Sequence, residues 1–193
     1  MSTSREAIIA AALRRFLAQG IAATALRQIQ HDARVSNGSL FHHFDSKEAL
    51  AAAVYTECVG RYQRAFLEEL DRHDDAETSV RGIVLMHLRW CAEQPETARF
   101  LINMTEPTVL RAAEPVLRDL NEHFSSALRS WWKPHAHYGN LRTLTPAQSY
   151  ALWLGPAQEL TRGWLIGFLP EAPNDAEAEM LASAAWLCLR AGP

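Results

Sequence analysis

Apolar residues recur at intervals of three and four along nearly the whole chain, the spacing of amphipathic helices. Ile9, Leu13 and Phe16, with Ala12 beside them, make one apolar face of a first helix, and Gly20 follows as its terminator. Thr24 stands as an N-cap for a short second helix whose buried side is Leu26, Ile29 and Ala33. Ser36 caps a third, very short helix reaching about His43, with Leu40 and Phe44 pointing inward. Ser46 opens a long fourth helix, from Lys47 to about Arg72, interrupted by no proline. After an acidic loop at 71–77, helical spacing resumes over about 78–93, 95–104, 114–132, 146–169 and 174–190. Pro95, Pro115 and Pro146 are placed as first-turn prolines, Thr145 as a cap, and 133–144 as the longest loop. No alternating run makes a strand. The pattern predicts an all-α fold of about nine helices: a three-helix N-terminal domain at 1–46, and a larger helical domain at 47–193 whose first helix, 47–72, connects the two.

Composition changes this picture little. Apolar types are 48% of the 193 residues and charged types 21%, ordinary for a globular chain. Cys58, Cys91 and Cys188 are widely spaced with no Cys-x-x-Cys pair, which excludes a disulfide framework or zinc ribbon and fits a reducing cytoplasm. No long apolar stretch predicts a membrane span, and no signal segment is evident. The net charge is −3, but residues 1–50 carry six basic and four acidic side chains. A mildly basic head on an acidic body leaves room for a phosphate-binding end.

The chemistry concentrates in residues 24–47. Two short helices joined at Arg34-Val35, the second opening Ser-Asn-Gly-Ser, have the layout of a helix-turn-helix, whose second helix enters the major groove of DNA. Asn37 suits the bidentate contact to adenine, and Ser39 can bond to base edges or phosphate. Gly38 holds no side chain between backbone and DNA. Arg27 and Lys47 sit near helix N-termini, where a cation is unfavourable unless an anion joins it. Spacing alone leaves a solvated surface as an equal reading of these residues.

Residues 8–50 resemble the N-terminal DNA-binding domain of the TetR family of bacterial transcriptional regulators. The resemblance is carried by Phe16, Gly20, Thr24, Ile29, Val35-Ser36, Gly38, Leu40, His43-Phe44 and Lys47-Glu48-x-Leu50, in ungapped register. It departs from the pattern at Gln30, where alanine is usual, at Arg34, where glycine is usual, and at Phe41, where tyrosine is usual. Phe41 lacks the hydroxyl that commonly touches phosphate, leaving its ring to pack on sugar or a thymine methyl. The resemblance implies DNA roles for Thr24, Arg27, Ser36, Asn37, Ser39, Phe41, His42, His43 and Lys47, with His43 open to a purely orienting role. It also implies a homodimer on a pseudo-palindromic operator, repression as the common mode, and release by a small-molecule effector.

Residues 51–193 match no motif. Aromatic and Met residues at helical spacing are plain core or, given the resemblance, the lining of a pocket for an apolar or aromatic ligand: Tyr62, Phe66, Met86, Trp90, Phe100, Met104, Phe124 and Trp153, with His87, Asn103 or Gln158 as polar groups. Leu152, Pro156, Leu160, Gly163 and Gly167, then Leu181, Ala184, Leu187 and Cys188, suggest either a two-fold helical seam or burial within one chain. No cofactor, metal site or enzyme motif is expected. The alternative to a regulator is a ligand-binding or protein-interaction module that has lost DNA binding.

Overall fold

The computed structural model describes residues 3–192 and is helical throughout, with ten helices in place of about nine. They are α1 (Ser4–Ala23), α2 (Leu26–Ala33), α3 (Asn37–His43), α4 (Lys47–Leu70) and α5 (Ala76–Glu93), followed by α6 (Pro95–Ile102), α7 (Pro107–His137), α8 (Pro146–Trp153), α9 (Gly155–Leu165) and α10 (Asp175–Leu189). The chain forms two compact units, Met1–Gly60 with Phe100–Leu120, and Arg61–Arg99 with Asn121–Pro193. Both α4 and α7 contribute residues to each unit. None of the helices is long and apolar enough to cross a membrane, among the described residues.

Ile8, Ala12 and Phe16 of α1, Ile29 of α2 and Leu40 of α3 fill the first core. Phe44 after α3, Leu50 and Val54 of α4, and Phe100, Val109 and Ala113 from the later segment complete it. Gly20 takes φ 80° and breaks the helical path before Ala23. The cap of α2 is Ala25, not Thr24: Gln28 Oε1 accepts the Ala25 N–H at 2.9 Å, the half of a capping box that needs no hydroxyl at the cap. Ser36 caps α3 as expected, its hydroxyl accepting the Ser39 N–H at 3.1 Å, and Ser46 accepts the Ala49 N–H at 3.0 Å.

Between α2 and α3, Arg34 adopts φ 55° and ψ 41°, the left-handed region. Its N–H meets His31 O at 3.1 Å and the Val35 N–H meets Gln30 O at 3.2 Å, the paired closure of a Schellman turn. Glycine is the residue that fits there without steric cost, and Arg34 is the one positive-φ residue other than glycine among the described residues. Arg34→Gly is expected to stabilise the chain by about 0.5–1 kcal/mol in urea unfolding; a loss of stability would mean that the arginine side chain outweighs its strain.

Three boundaries differ from the sequence reading. α7 begins at Pro107 and carries its period through Pro115 and Pro134 to His137, so 133–137 is helix, not loop. Val109, Ala113, Leu117, Leu120, Phe124, Leu128 and Trp131 form one continuous buried or half-buried face. That long face outweighs the hydrogen bonds that the two prolines forgo. The segment 146–169 is two helices that meet at Leu154, where Pro156, in the first turn of α9, has no N–H with which to extend the hydrogen bonds of α8. The chain after α9 turns at Gly167, φ 81°.

In the second unit α10 packs on α5 and α8. Arg81 of α5 reaches Ser183 Oγ and Glu179 Oε2, each at 2.7 Å.

Candidate nucleic-acid interface

Leu40 and Phe44, 1% and 4% exposed, fasten α3 to the core of the first unit. Helical spacing then turns Ser36, Asn37, Gly38, Phe41 and His42 outward, and all five are exposed, with Ser39 and His43 half-buried at the edges. A Cβ at Gly38 would meet nothing closer than Ser36 Oγ at 4.0 Å, so this chain's own packing does not require the glycine. Arg27 and Arg34 are exposed, and neither has an ion pair among the described residues.

Three other cations of the head, Arg15, Arg5 and Lys47, are engaged. Arg15 grips Asp32 through Nε–Oδ2 at 2.7 Å and Nη2–Oδ1 at 2.9 Å, joining α1 to α2. Those hydrogen bonds, with a smaller contribution from His31, hold the Asp32 carboxyl down at about 2. Arg5 lies 5.7 Å over the Phe44 ring. Lys47 Nζ donates to Ala22 O at 2.9 Å and Thr24 O at 3.3 Å, closing the turn between α1 and α2 from the start of α4. One of its three protons stays available. Thr24 is 2% exposed; its hydroxyl donates to Gly20 O at 2.7 Å and accepts from Gln19 Nε2 at 3.3 Å. Thr24 thus braces the turn, and its hydroxyl is kept off the surface.

The pocket residues expected from sequence do not all meet. Phe100 and Met104 belong to the core of the first unit, Phe100 lying 6.5 Å from the Tyr55 ring. In the second unit Trp153 is the hub, 5.6 Å from both Phe66 and Trp131 and 5.9 Å from Trp132. Its Nε1–H donates to Val80 O at 2.9 Å, and Phe124 closes on Phe66 at 5.1 Å. Tyr62 sits edge-on to Trp90 at 5.1 Å, and Met86 is buried on the same helix as Trp90. A surface hollow of about 380 Å³, by Asn140, Trp186 and Arg190, is lined by none of these residues.

His87 is the polar centre of this region. Its Nδ1 is 2.8 Å from Tyr62 Oη and its Nε2 is 4.0 Å from Cys91 Sγ. Burial holds the imidazole down at about 4, pushes the Cys91 thiol up to about 12, and raises the Tyr62 phenol. All three groups are therefore neutral at pH 7, and Cys91 is unreactive. The imidazole is neutral when folded yet titrates at its ordinary value of 6.5 when unfolded. Its contribution is whole above pH 6.5 and is lost as pH falls toward 4, about 3 kcal/mol in all. Urea midpoints measured from pH 7 to 4 should fall accordingly, and His87→Gln should flatten that segment. The Arg15–Asp32 pair acts in a separate window, below pH 3.8.

On the helices assigned to a seam, Gly163 and Gly167 have reasons inside the chain. A Cβ on Gly163 would lie 3.3 Å from Leu169 Cδ1, and Gly167 takes a positive φ that ends α9. Leu152, Leu160, Leu181 and Cys188 are half-buried; Pro156, Ala184 and Leu187 are exposed. Tyr150, Ile166, Phe168 and Met180 add to the exposed apolar side chains of this unit, Phe168 reaching 82%. No group of three or more His, Cys, Asp or Glu residues able to hold a metal ion occurs among the described residues. Sequence spacing missed the Arg15–Asp32 pair, which meets across 17 positions, and the approach of Tyr62 to His87 across 25, although His87 and Cys91 are one turn apart on α5.

Residues 8–54 match the family described as bacterial regulatory proteins, tetR family. The HTH-type transcriptional repressor KstR2 of Rhodococcus jostii is 30% identical over 96 residues, 46% of this chain and 47% of its own length. The chain thus aligns with about half the length of that relative. The HTH-type transcriptional repressor AcnR of Corynebacterium efficiens is 25% identical over 183 residues, 93% of this chain and 87% of its own. Among solved structures, a TetR family transcription regulator from Marinobacter aquaeolei superposes with TM-score 0.78 at 19% identity, over 98% of this chain and 96% of its own. The transcriptional regulator FadR of Bacillus subtilis, in complex with stearoyl-CoA, does so with TM-score 0.73 at 15% identity, over 95% and 96%. At these identities the two structures establish the shared fold.

Proposed function

We propose, because residues 8–54 match the family of bacterial regulatory proteins described as tetR, that this chain is a member of that family and a DNA-binding transcriptional repressor whose operator affinity falls when a small apolar or aromatic molecule binds its second unit. The observation that carries the reading is α3, fixed by Leu40 and Phe44 and open on its opposite side at Ser36, Asn37, Gly38 and Phe41. Asn37 and Ser39 supply base-edge chemistry; Arg27, Arg34 and the remaining Lys47 proton supply phosphate contacts. Its similarity to two repressors supports the direction of control.

A seven-residue helix reads few base pairs, so two copies on a pseudo-palindrome are part of the proposal. The exposed Leu187, Ala184, Pro156 and Phe168 support a two-fold seam between α9 and α10 of two chains. For the effector, a bound acyl-CoA in the FadR structure is one precedent for an apolar ligand in this fold. The aromatic group around Trp153, with Tyr62 and His87 as neutral hydrogen-bonding partners, supports a ligand largely apolar and uncharged where it meets them. Because α4 and α7 each run through both units, displacing either helix couples ligand to DNA. A coupling of 1–3 kcal/mol corresponds to about 5- to 150-fold in affinity.

The test is equilibrium binding to duplexes recovered from random-sequence selection, at increasing salt. Preference over scrambled DNA by about 10³ or more, with affinity falling steeply as salt rises, is the expected result. Equal affinity for scrambled DNA would remove the regulator reading.

A further inference from the structure

We propose that the hollow formed where the end of α10 meets the turn at 139–142 binds a flat aromatic carboxylate, its ring against Trp186 and its carboxylate on Arg190. The inference is independent of the DNA-binding reading and of the aromatic group around Trp153, whose residues do not line this hollow.

The hollow measures about 380 Å³ and is lined by Gly139, Asn140, Trp186, Arg190, Ala191 and Gly192. Backbone pairing fixes its walls: the Arg142 N–H donates to Leu189 O at 2.9 Å and the Ala191 N–H to Asn140 O at 3.1 Å. Leu141 and Leu189, both fully buried, anchor the two paired segments. Two groups lining the hollow are left without partners inside the chain. The half-buried Trp186 ring makes no ring contact and its Nε1–H donates to nothing among the described residues, whereas the indoles of Trp132 and Trp153 each reach a backbone carbonyl. The Arg190 guanidinium is exposed and has neither ion pair nor hydrogen bond among the described residues. Arg142 spends its Nε on Arg190 O at 3.0 Å and likewise has no carboxylate partner there.

The charge pattern points the same way. Residues 123–158 and 180–193, which supply every wall of the hollow, hold four Arg or Lys and no Asp or Glu, in a chain of net charge −3. An anion arriving there meets no repelling side chain from either segment. A guanidinium offers a carboxylate two parallel hydrogen bonds, and an indole face takes a flat ring. Trp186 and the cap residue Arg190 are one turn apart, about 6 Å along the axis of α10, so one rigid molecule can meet both. The volume sits at the low end of the ~300–1,000 Å³ of small-molecule sites, which suits one or two rings.

The experiment titrates the full chain with 2-naphthoate, with its neutral isostere 2-naphthamide and with inorganic phosphate, by calorimetry at low salt. 2-Naphthoate is expected to bind once per chain, about tenfold or more tightly than the amide, the effect of a charge-assisted hydrogen-bonded pair. Equimolar phosphate should not displace it. Arg190→Gln, an exposed change checked for native helicity and melting temperature, should bring the acid down to the affinity of the amide, and Trp186→Leu should weaken both several-fold. No binding to the parent chain, or equal affinity for acid and amide, would overturn the proposal. Undiminished 2-naphthoate binding in Arg190→Gln would overturn it by placing the ligand elsewhere, and displacement by equimolar phosphate would overturn the part given to the ring.

Discussion

Replacing Trp153 by alanine is expected to destabilise the chain by about 3–5 kcal/mol, the largest effect of any single change considered. The side chain is 5% exposed and meets Phe66, Trp131 and Trp132, so its removal opens a cavity bounded by large rings that cannot easily collapse. It also strips Val80 O of its indole donor. Trp153→Phe separates the two contributions. Most of the packing is kept and the hydrogen bond is lost, for about 1 kcal/mol. Urea unfolding of both variants beside the parent checks the expectation. A loss below about 1 kcal/mol for Trp153→Ala would mean a loosely packed, adaptable cluster.

Gly38→Ala should separate stability from function. In the free chain the added methyl meets open space, and alanine is the better helix former, so stability is expected to rise by about 0.5 kcal/mol. On the operator that methyl stands between α3 and the base edges. Affinity is expected to fall about tenfold or more, which is 1.4 kcal/mol or more in the opposite direction. Thermal melting and operator titration on the same preparation read both signs. Unchanged affinity would put Gly38 away from the groove.

Much of the fold was legible because local signals and tertiary packing agree. Ser36, Leu40 and Phe44 announce α3 by a cap and an apolar spacing, and the structure uses all three in those roles. The resemblance over 8–50 supplied the architecture of the head. α7 was misread for a physical reason: Pro115 and Pro134 were weighed as boundaries, while the apolar face from Val109 to Trp131 continues through Pro115. The opposite error fell at Pro156, where an apolar run hid a true break between α8 and α9. A proline ends a helix or rides within it according to how much apolar face the helix buries beyond it, and single-residue signals do not carry that sum.

The candidate site was legible by type and less so by role. Asn37, Gly38 and Phe41 stand exposed on α3, whereas Thr24 and Lys47 spend their polar groups on the turn between α1 and α2. For Lys47 that engagement depends on partners 25 and 23 positions away, which no local spacing encodes, while the Thr24 hydroxyl turns back to Gly20 and Gln19 instead of capping α2. The aromatic list divided between two cores for the same reason: period identifies a buried side chain without naming its neighbours.

The central claim is that the outer face of α3 reads base pairs, and selection from random duplexes by the parent chain and by Asn37→Ala, run side by side, tests it most directly. The parent should enrich a pseudo-palindrome with an adenine at one fixed position per half-site. Asn37→Ala should enrich the same site with that position alone relaxed. Identical sites from both chains, or no enriched site from either, would contradict it.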